Sequence, residues 1–286
     1  MENTLPIRNV SAVQQQRLLT FYEKADQQGI APPRDYFWYH SIDLGSGVCT
    51  PGVYDLRDKW HHYHFPDTLH GKRILDVGAA TGFFSFEFAK MGGEVMAVEL
   101  SSLDELDSFP GQDREVLAQK AAKYMMGYVV EPPKNWDTES LYHPFLAGPF
   151  DYCQQVLGLS VPRVFKSIYA LSPESEGFFD WVFVGDVLLH TLRPLEALSA
   201  AASVCRDTLV IAQQLTPIGG DTPLLIYTGG QDPADDESAW WMPNLAWFEH
   251  LLHKVGFRKV VVKSSFEDTY IPVGQPITRT VIHATR

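Results

Sequence analysis

The stretch from Arg73 to Leu100 constrains the fold of this chain more than any other part of its sequence. A largely apolar run at Arg73–Val77 is followed by a short glycine-containing loop, a helical pattern at Phe83–Met91 and a second apolar run at Glu94–Leu100. Continuous apolar runs of this length are typical of strands buried on both faces, and so short a strand–helix–strand unit favours parallel strands joined by a right-handed crossover. We therefore expect an α/β fold with a doubly wound, mostly parallel sheet.

Patterns on both sides of this unit predict the remaining elements. Ser11 and Gln14 match a helix capping box, and two strand-like runs around Gly45-Ser46-Gly47 predict a hairpin. Further downstream, four strands and two helices are predicted at Asp180–Val184, Pro194–Val204, Thr208–Ala212, Pro243–Val255, Arg258–Lys263 and Thr280–Ala284.

The chain divides into an N-terminal extension and cap, residues 1–70, and a core, residues 71–286. Within the core, residues 101–164 are less regular and form an insertion. We predict a helix near Arg114–Met126 and a long loop from Pro132 to Phe150, because that stretch is rich in proline, glycine and aromatic residues. A loop of that length is usually functional, so we expect the cap and the insertion to determine substrate choice.

Composition excludes several classes of protein. The 286 residues carry a net charge of −12, which opposes attraction to nucleic acid and to anionic membranes. The three cysteines suggest neither a disulfide framework nor a zinc site, and residues 1–10 lack the pattern of a signal peptide. We expect a cytoplasmic protein that does not bind membranes; its oligomeric state stays open.

The loop after the first strand predicts a nucleoside-bearing cofactor. Gly78 and Gly82 permit a sharp turn and close ligand approach, so we expect Gly82→Val to block cofactor binding without unfolding the chain. Glu99 ends the second strand, where a carboxylate can bind a ribose diol. Nicotinamide enzymes usually carry G-x-G-x-x-G, whereas Ala80 replaces the second glycine and Asp76 adds negative charge, so a cofactor without phosphate fits better.

The run Asp76–Phe83 resembles motif I of class I S-adenosylmethionine (SAM)-dependent methyltransferases, and Glu99 matches their ribose-binding acid. The resemblance implies a Rossmann-like, seven-stranded sheet preceded by a helical and hairpin cap. It also implies that Asp76 lies near the amino-acid portion of SAM, that Ile168 and Tyr169 flank the adenine, and that residues 184–186 line the methionine end. The cofactor-binding residues it implies are Asp76, Gly78, Ala79, Gly82, Phe83, Glu99, Leu100, Ile168, Tyr169, Val184, Gly185 and Arg279.

A narrower resemblance covers segments on either side of motif I. The runs Trp38–Leu44 and Phe179–His190 are similar to the tRNA wobble-uridine 5-oxyacetic acid methyltransferase group. In that tRNA enzyme a tyrosine and an arginine hold the extra carboxylate of carboxy-SAM; Arg279 matches the arginine, but Leu189 replaces the tyrosine and cannot donate a hydrogen bond. Ordinary SAM therefore fits better than carboxy-SAM, and the acidic charge argues against a tRNA substrate, which is not excluded.

Three residues are candidates for catalysis. His40 and His190 titrate near neutrality and can act as bases, although a structural role is also open for each. Asp186 can bind substrate or cofactor, or can cap a helix. The run His61–His64 reads as a solvated loop rather than a metal site.

The function predicted from these observations is SAM-dependent methyl transfer to a small-molecule acceptor. Two alternatives stay open: a tRNA wobble-uridine methyltransferase or carboxymethyltransferase, and a nicotinamide oxidoreductase or catalytically silent SAM-binding protein.

Overall fold

The computed structural model describes residues 11–231 and 239–286, so residues 1–10, where no signal peptide is predicted, lie outside the described part. The first helix, α1, spans Ala12–Gln27, and its Ser11 cap accepts a hydrogen bond from the Gln14 N–H. The capping box is only half formed, because the Gln14 side chain donates instead to the Pro51 carbonyl over 2.6 Å. This bond fixes α1 to the segment that follows the first hairpin.

The predicted hairpin is present, and nine further strands follow it within the described residues. In chain order the strands are β1 Asp43–Gly45, β2 Val48–Cys49, β3 Arg73–Val77, β4 Glu94–Glu99, β5 Arg163–Phe165, β6 Phe179–Gly185, β7 Cys205–Gln213, β8 Leu225–Tyr227, β9 Trp241–Pro243, β10 Lys259–Tyr270 and β11 Gln275–Thr285. Strands β1 and β2, and likewise β8 and β9, form separate antiparallel hairpins.

The remaining seven strands form one sheet in the order β10-β11-β7-β6-β3-β4-β5. Only β11 runs antiparallel to its neighbours, so the carboxyl ends of the other six strands share one edge. The expected mostly parallel, seven-stranded, Rossmann-like sheet is therefore confirmed. Strand order reverses between β3 and β6, the place where open sheets of this kind form a ligand crevice at their carboxyl edge.

Helices cover both faces of the sheet. After α1 they are α2 Phe83–Lys90, α3 Arg114–Met125, α4 Thr138–Tyr142, α5 Gly148–Leu157, α6 Pro173–Glu176, α7 Pro194–Ser203 and α8 Leu245–Lys254. Phe84 and Phe88 of α2 pack on one face together with α1, and Leu198 of α7 and Phe248 of α8 pack on the other. In the two described ranges, no helix has both the length and the apolarity needed to span a membrane.

The insertion differs from its prediction. Helix α3 is confirmed, but the predicted loop from Pro132 to Phe150 is wrong, because α4, a π-helical turn at His143–Ala147 and the start of α5 lie there. Pro144 and Pro149 each stand at the second position of their helical segments.

The insertion and the cap share a third apolar cluster at the carboxyl edge of the sheet. Phe37 of the cap, Ala122 of α3, Leu141 of α4 and Tyr270 of β10 are all buried in it. The hydroxyls of Tyr128 and Tyr270 lie 3.0 Å apart inside this cluster. The two parts of the chain expected to determine substrate choice therefore form one layer over the crevice.

Candidate functional site

Three residues of the glycine loop adopt left-handed backbone conformations. Gly78, Ala80 and Gly82 have φ angles of 72°, 48° and 94°. The N–H groups of Gly78 and Ala79 both donate to the Val98 carbonyl in β4, so the loop folds back onto the neighbouring strand. Ala80 is the only one of the three that carries a side chain, and left-handed backbone is unfavourable for such a residue.

Glu99 lies directly against this loop. Its carboxylate accepts hydrogen bonds from the backbone N–H of Ala80 and of Leu100, each over 2.9 Å. A carboxylate offers about four lone-pair directions, so the group keeps capacity for a further donor such as a ribose hydroxyl. The Tyr142 hydroxyl donates to the Leu100 carbonyl over 2.6 Å, which brings the insertion onto this end of the crevice.

Asp76 lies behind the loop rather than at its surface. The side chain is buried, and it accepts a hydrogen bond from the Ser85 hydroxyl over 2.6 Å. Burial raises the pKa of this carboxyl to about 7, because a charged carboxylate is poorly solvated there. Asp76 thus joins β3 to α2, and its expected place near the amino-acid portion of a cofactor stays a prediction.

Gly82 packs against two aromatic rings of the core. A Cβ atom at this position would lie 2.5 Å from the ring of Phe86 and 2.8 Å from that of Phe150. The missing side chain therefore faces the core, so a side chain at this position should lower the stability of the fold, and the expectation that Gly82→Val blocks cofactor binding without unfolding the chain stays a prediction. Phe83, the next residue, is buried with its ring 5.6 Å from that of His40.

His40 of the cap is held against the glycine loop. Its backbone N–H donates to the Thr81 hydroxyl over 3.3 Å, and its carbonyl accepts from the Thr50 hydroxyl over 2.9 Å. Gly52 packs so closely that a Cβ atom there would lie 2.0 Å from the His40 carbonyl carbon. The backbone that carries the imidazole is therefore fixed from three sides.

The imidazole of His40 is buried and uncharged at neutral pH. The residue is 7% exposed, and burial, with a smaller contribution from Arg279, lowers its pKa to about 3. Its Nδ1 atom is buried without a hydrogen-bond partner among the described residues. Buried polar atoms are normally paired, so an unpaired nitrogen beside the crevice marks a place where a ligand group can donate a hydrogen bond.

Arg279 forms the charged part of the site. Its Nε donates to Asp186 over 2.6 Å, its Nη1 donates to Asp268, and its guanidinium carbon lies 4.7 Å from the centre of the Tyr54 ring. Asp186 has a φ of 49° and pairs with Arg279, and Val187, not Asp186, occupies the cap position of the next short helix. The reading of Asp186 as a helix cap is therefore wrong.

The remaining predicted residues lie near the crevice in different surroundings. Ile168 and Val184 are buried in the apolar cluster that also contains Leu198 of α7 and Phe248 of α8. Gly185 is the last residue of β6. Tyr169 is partly buried, and its hydroxyl donates to Asp107. His190 lies in a short helix at Leu188–His190, after β6.

The histidine run is not the loop that was predicted. Residues Arg57–Tyr63 form a 3₁₀-helix, in which Tyr63 is buried and the His62 ring stacks on Phe266 at 4.8 Å. Throughout residues 11–231 and 239–286, no three His, Cys, Asp or Glu side chains are grouped so that they could hold a metal ion.

Solved structures share this fold at low sequence identity. The N-terminal domain of EvdMO1 with S-adenosylhomocysteine (SAH) bound is 14% identical, with a TM-score of 0.51 over 96% of this chain and 95% of that one. The same domain in the presence of SAH and D-fucose gives a TM-score of 0.50 over 97% and 98%, also at 14% identity. Magnesium protoporphyrin IX methyltransferase from Synechocystis PCC 6803 with bound SAH is 16% identical over 76% of this chain and 75% of that chain, with a TM-score of 0.46.

Neither a protein-family model nor a curated protein matches the chain. At these identities the likeness to solved structures shows the fold alone. That fold is a Rossmann-like α/β architecture, as predicted from the sequence.

Proposed function

We propose that the protein is a SAM-dependent methyltransferase that acts on a small molecule. The observation that carries the proposal is the position of Glu99, whose carboxylate lies 2.9 Å from the Ala80 N–H at the carboxyl edge of two adjacent parallel strands. A nucleoside in this crevice would place its ribose diol beside Glu99, and the short glycine loop, without its second glycine, suits a cofactor that lacks phosphate. The SAH bound in the EvdMO1 domain, which shares this fold, supports the same cofactor.

SAM supplies an electrophilic methyl group on a sulfonium ion, and methyl transfer then depends chiefly on alignment of the acceptor. The residues in place for that task are Tyr39, His40 and Tyr54. The Tyr39 ring lies 4.7 Å from that of His40 and 5.3 Å from that of Tyr54. Burial keeps His40 neutral, so its unpaired Nδ1 can accept a hydrogen bond from an acceptor hydroxyl or amine and orient it.

The charges at the site favour a neutral or basic acceptor. Arg279 is already paired with Asp186 and Asp268, so a carboxylate or phosphate brought beside it would face two aspartates. One neighbouring structure was determined in the presence of D-fucose, an uncharged, hydroxylated molecule. The same pairing argues for ordinary SAM over carboxy-SAM, and the net charge of −12 argues for a small molecule over tRNA.

Calorimetric titration with SAH and with NAD tests the cofactor. We expect SAH to bind and NAD not to bind, and Glu99→Ala to weaken SAH binding by roughly 1–3 kcal/mol because ribose hydroxyls lose their partner. Glu94→Ala is the matched control, since Glu94 is exposed at the opposite end of the same strand. Binding of NAD without SAH, or equal SAH affinity in both variants, would contradict the proposal.

Two further measurements separate the alternatives. Transfer of a labelled methyl group from SAM to small molecules distinguishes an enzyme from a catalytically silent SAM-binding protein. If purified protein carries tRNA, seen as raised absorbance at 260 nm, the tRNA alternative gains support.

A further inference from the structure

Asp107 was not singled out from the sequence, and its carboxylate joins three parts of the chain. It lies in the insertion, before α3. One carboxylate oxygen, Oδ2, accepts hydrogen bonds from the Tyr169 hydroxyl and from the Leu192 N–H, the second over 2.6 Å. Tyr169 follows β5 and Leu192 follows β6, so Asp107 ties the insertion to segments on both sides of β3 and β4.

Tyr169 is held on a second side by Arg193. The guanidinium carbon of Arg193 lies 4.0 Å from the centre of the Tyr169 ring, and the Arg193 N–H donates to the Tyr169 hydroxyl over 3.3 Å. Burial, together with Asp107, raises the pKa of Tyr169 to about 12, so the phenol keeps its proton and donates a hydrogen bond to Asp107. One ring face and the hydroxyl are therefore fixed, and the side chain remains only partly buried.

A second contact fixes the same part of the insertion. Phe109 packs edge-on against Trp240, with ring centres 5.3 Å apart, and the Trp240 N–H donates to the Leu189 carbonyl over 2.9 Å. The insertion is therefore attached at two points, Asp107 and Phe109, to the turn that follows β6. The hydrogen bonds to Asp107, together with the neighbouring contact between Phe109 and Trp240, restrain the orientation of Tyr169 more than a single surface hydrogen bond would.

We propose that Asp107 is a positioning residue for the cofactor: it fixes the Tyr169 ring as the wall against which the adenine lies, and so couples the insertion to cofactor binding. This inference rests on the proposed function, because the family resemblance, not a bound ligand, places adenine beside Tyr169. A flat aromatic base binds best to a ring that is already oriented, since no side-chain freedom is then lost on binding.

Calorimetric titration of SAH into Asp107→Ala and Tyr169→Phe tests the inference. We expect each variant to bind SAH at least fivefold more weakly than the wild type. The double variant should bind about as weakly as the weaker single variant, because both substitutions remove one shared hydrogen bond. Asp113→Ala is the matched control: Asp113 lies in the same insertion, but its carboxylate caps α3 by accepting from the Val116 N–H over 3.0 Å. That control should unfold at a lower temperature and keep its SAH affinity within twofold.

Circular dichroism near 260 nm supplies a signal that a merely structural role would not change. At saturating SAH this band reports how the adenine is held against neighbouring rings. We expect it to change in Asp107→Ala and Tyr169→Phe but not in Asp113→Ala; Tyr169→Phe removes one oxygen only, so it decides the question if Asp107→Ala fails to fold. Wild-type affinity together with a wild-type band in Tyr169→Phe overturns the inference. Failure of the wild type to bind SAH overturns the proposed function instead.

Discussion

The hydroxyl of Thr81 accepts a hydrogen bond from the backbone N–H of His40, and this bond joins the cap to the glycine loop. Thr81 is fully buried, and it stands between Ala80 and Gly82, two of the residues with left-handed backbone. The residue that donates this bond carries the imidazole proposed to orient the acceptor, and the loop that accepts it belongs to the proposed cofactor site. The proposed acceptor and cofactor sites are therefore directly adjacent.

The backbone strain at Ala80 can be relieved by substitution. A left-handed conformation costs a residue with a side chain about 1–2 kcal/mol, and glycine avoids this cost. We expect Ala80→Gly to be at least as stable as the wild type in urea denaturation. Ala79→Gly is the control, because Ala79 is not left-handed, and it should lose roughly 0.5–1 kcal/mol. Equal losses of stability in the two variants would contradict the proposed backbone strain at Ala80.

Gly82 should be intolerant of any side chain. Gly82→Ala adds a Cβ atom against the rings of Phe86 and Phe150, and overpacking of this kind typically costs about 1–3 kcal/mol. Gly71→Ala separates packing from backbone strain, because Gly71 has a φ of 70° with no atom within 4 Å of the added carbon. We expect Gly82→Ala to unfold at a clearly lower denaturant concentration than Gly71→Ala; similar midpoints would show that the rings move aside without cost.

Asp76 should make stability depend on pH. Its pKa is about 7 in the folded chain and about 4 in the unfolded chain, so between these values only the folded chain keeps the proton. This group therefore stabilises the fold below about pH 4, and its contribution is lost as the pH rises to about 7. Asp76→Asn cannot ionise and still accepts from Ser85, so its stability relative to the wild type should be greater at pH 8 than at pH 5. The exposed Asp67→Asn is the control and should show no such difference in urea titrations at the two pH values.

Asp268 should help to select ordinary SAM. Asp268→Asn removes one of the two carboxylates that pair with Arg279, so the guanidinium then faces one negative charge, that of Asp186, instead of two. We expect the affinity for carboxy-SAM, relative to that for SAM, to rise at least tenfold in competition binding. Glu267→Gln removes an exposed charge from the adjacent position of β10 and should leave the ratio unchanged. An unaltered ratio in Asp268→Asn would mean that Arg279 does not face the methyl end of the cofactor.

Local sequence patterns predict the centre of this fold better than its margins. The bounds of β3 are confirmed at Arg73–Val77, because a strand buried on both faces needs one continuous apolar run. Strand β10 continues to Tyr270, well past the predicted end at Lys263, because buried Phe266 and Asp268 alternate with exposed residues there. A buried aspartate breaks the apolar alternation by which such a strand is recognised.

The site residues can likewise be divided into those that local sequence patterns predict and those that they do not. The glycine loop and Glu99 belong to one strand–helix–strand unit, so their spacing along the chain predicts their proximity. Asp107 and Asp268 were missed, because their partners lie in other segments and no local spacing connects them. For Asp268 the only signal in the sequence was Arg279, which matches an arginine of the tRNA enzyme. A buried arginine needs a carboxylate partner, although the sequence does not say which one.

The close approach of Gly52 to His40 bears on how this protein could be re-engineered. The N–H groups of Val53 and Tyr54 donate to the carbonyls of Trp38 and Tyr39, so the two segments are bonded side by side and leave no space for an additional carbon. A wall built in this way keeps its backbone position when its side chains change. Replacing Tyr39 or Tyr54 should therefore alter the shape of the proposed acceptor site in a predictable manner, which makes these two positions the natural starting points for redirecting the proposed activity to new acceptors.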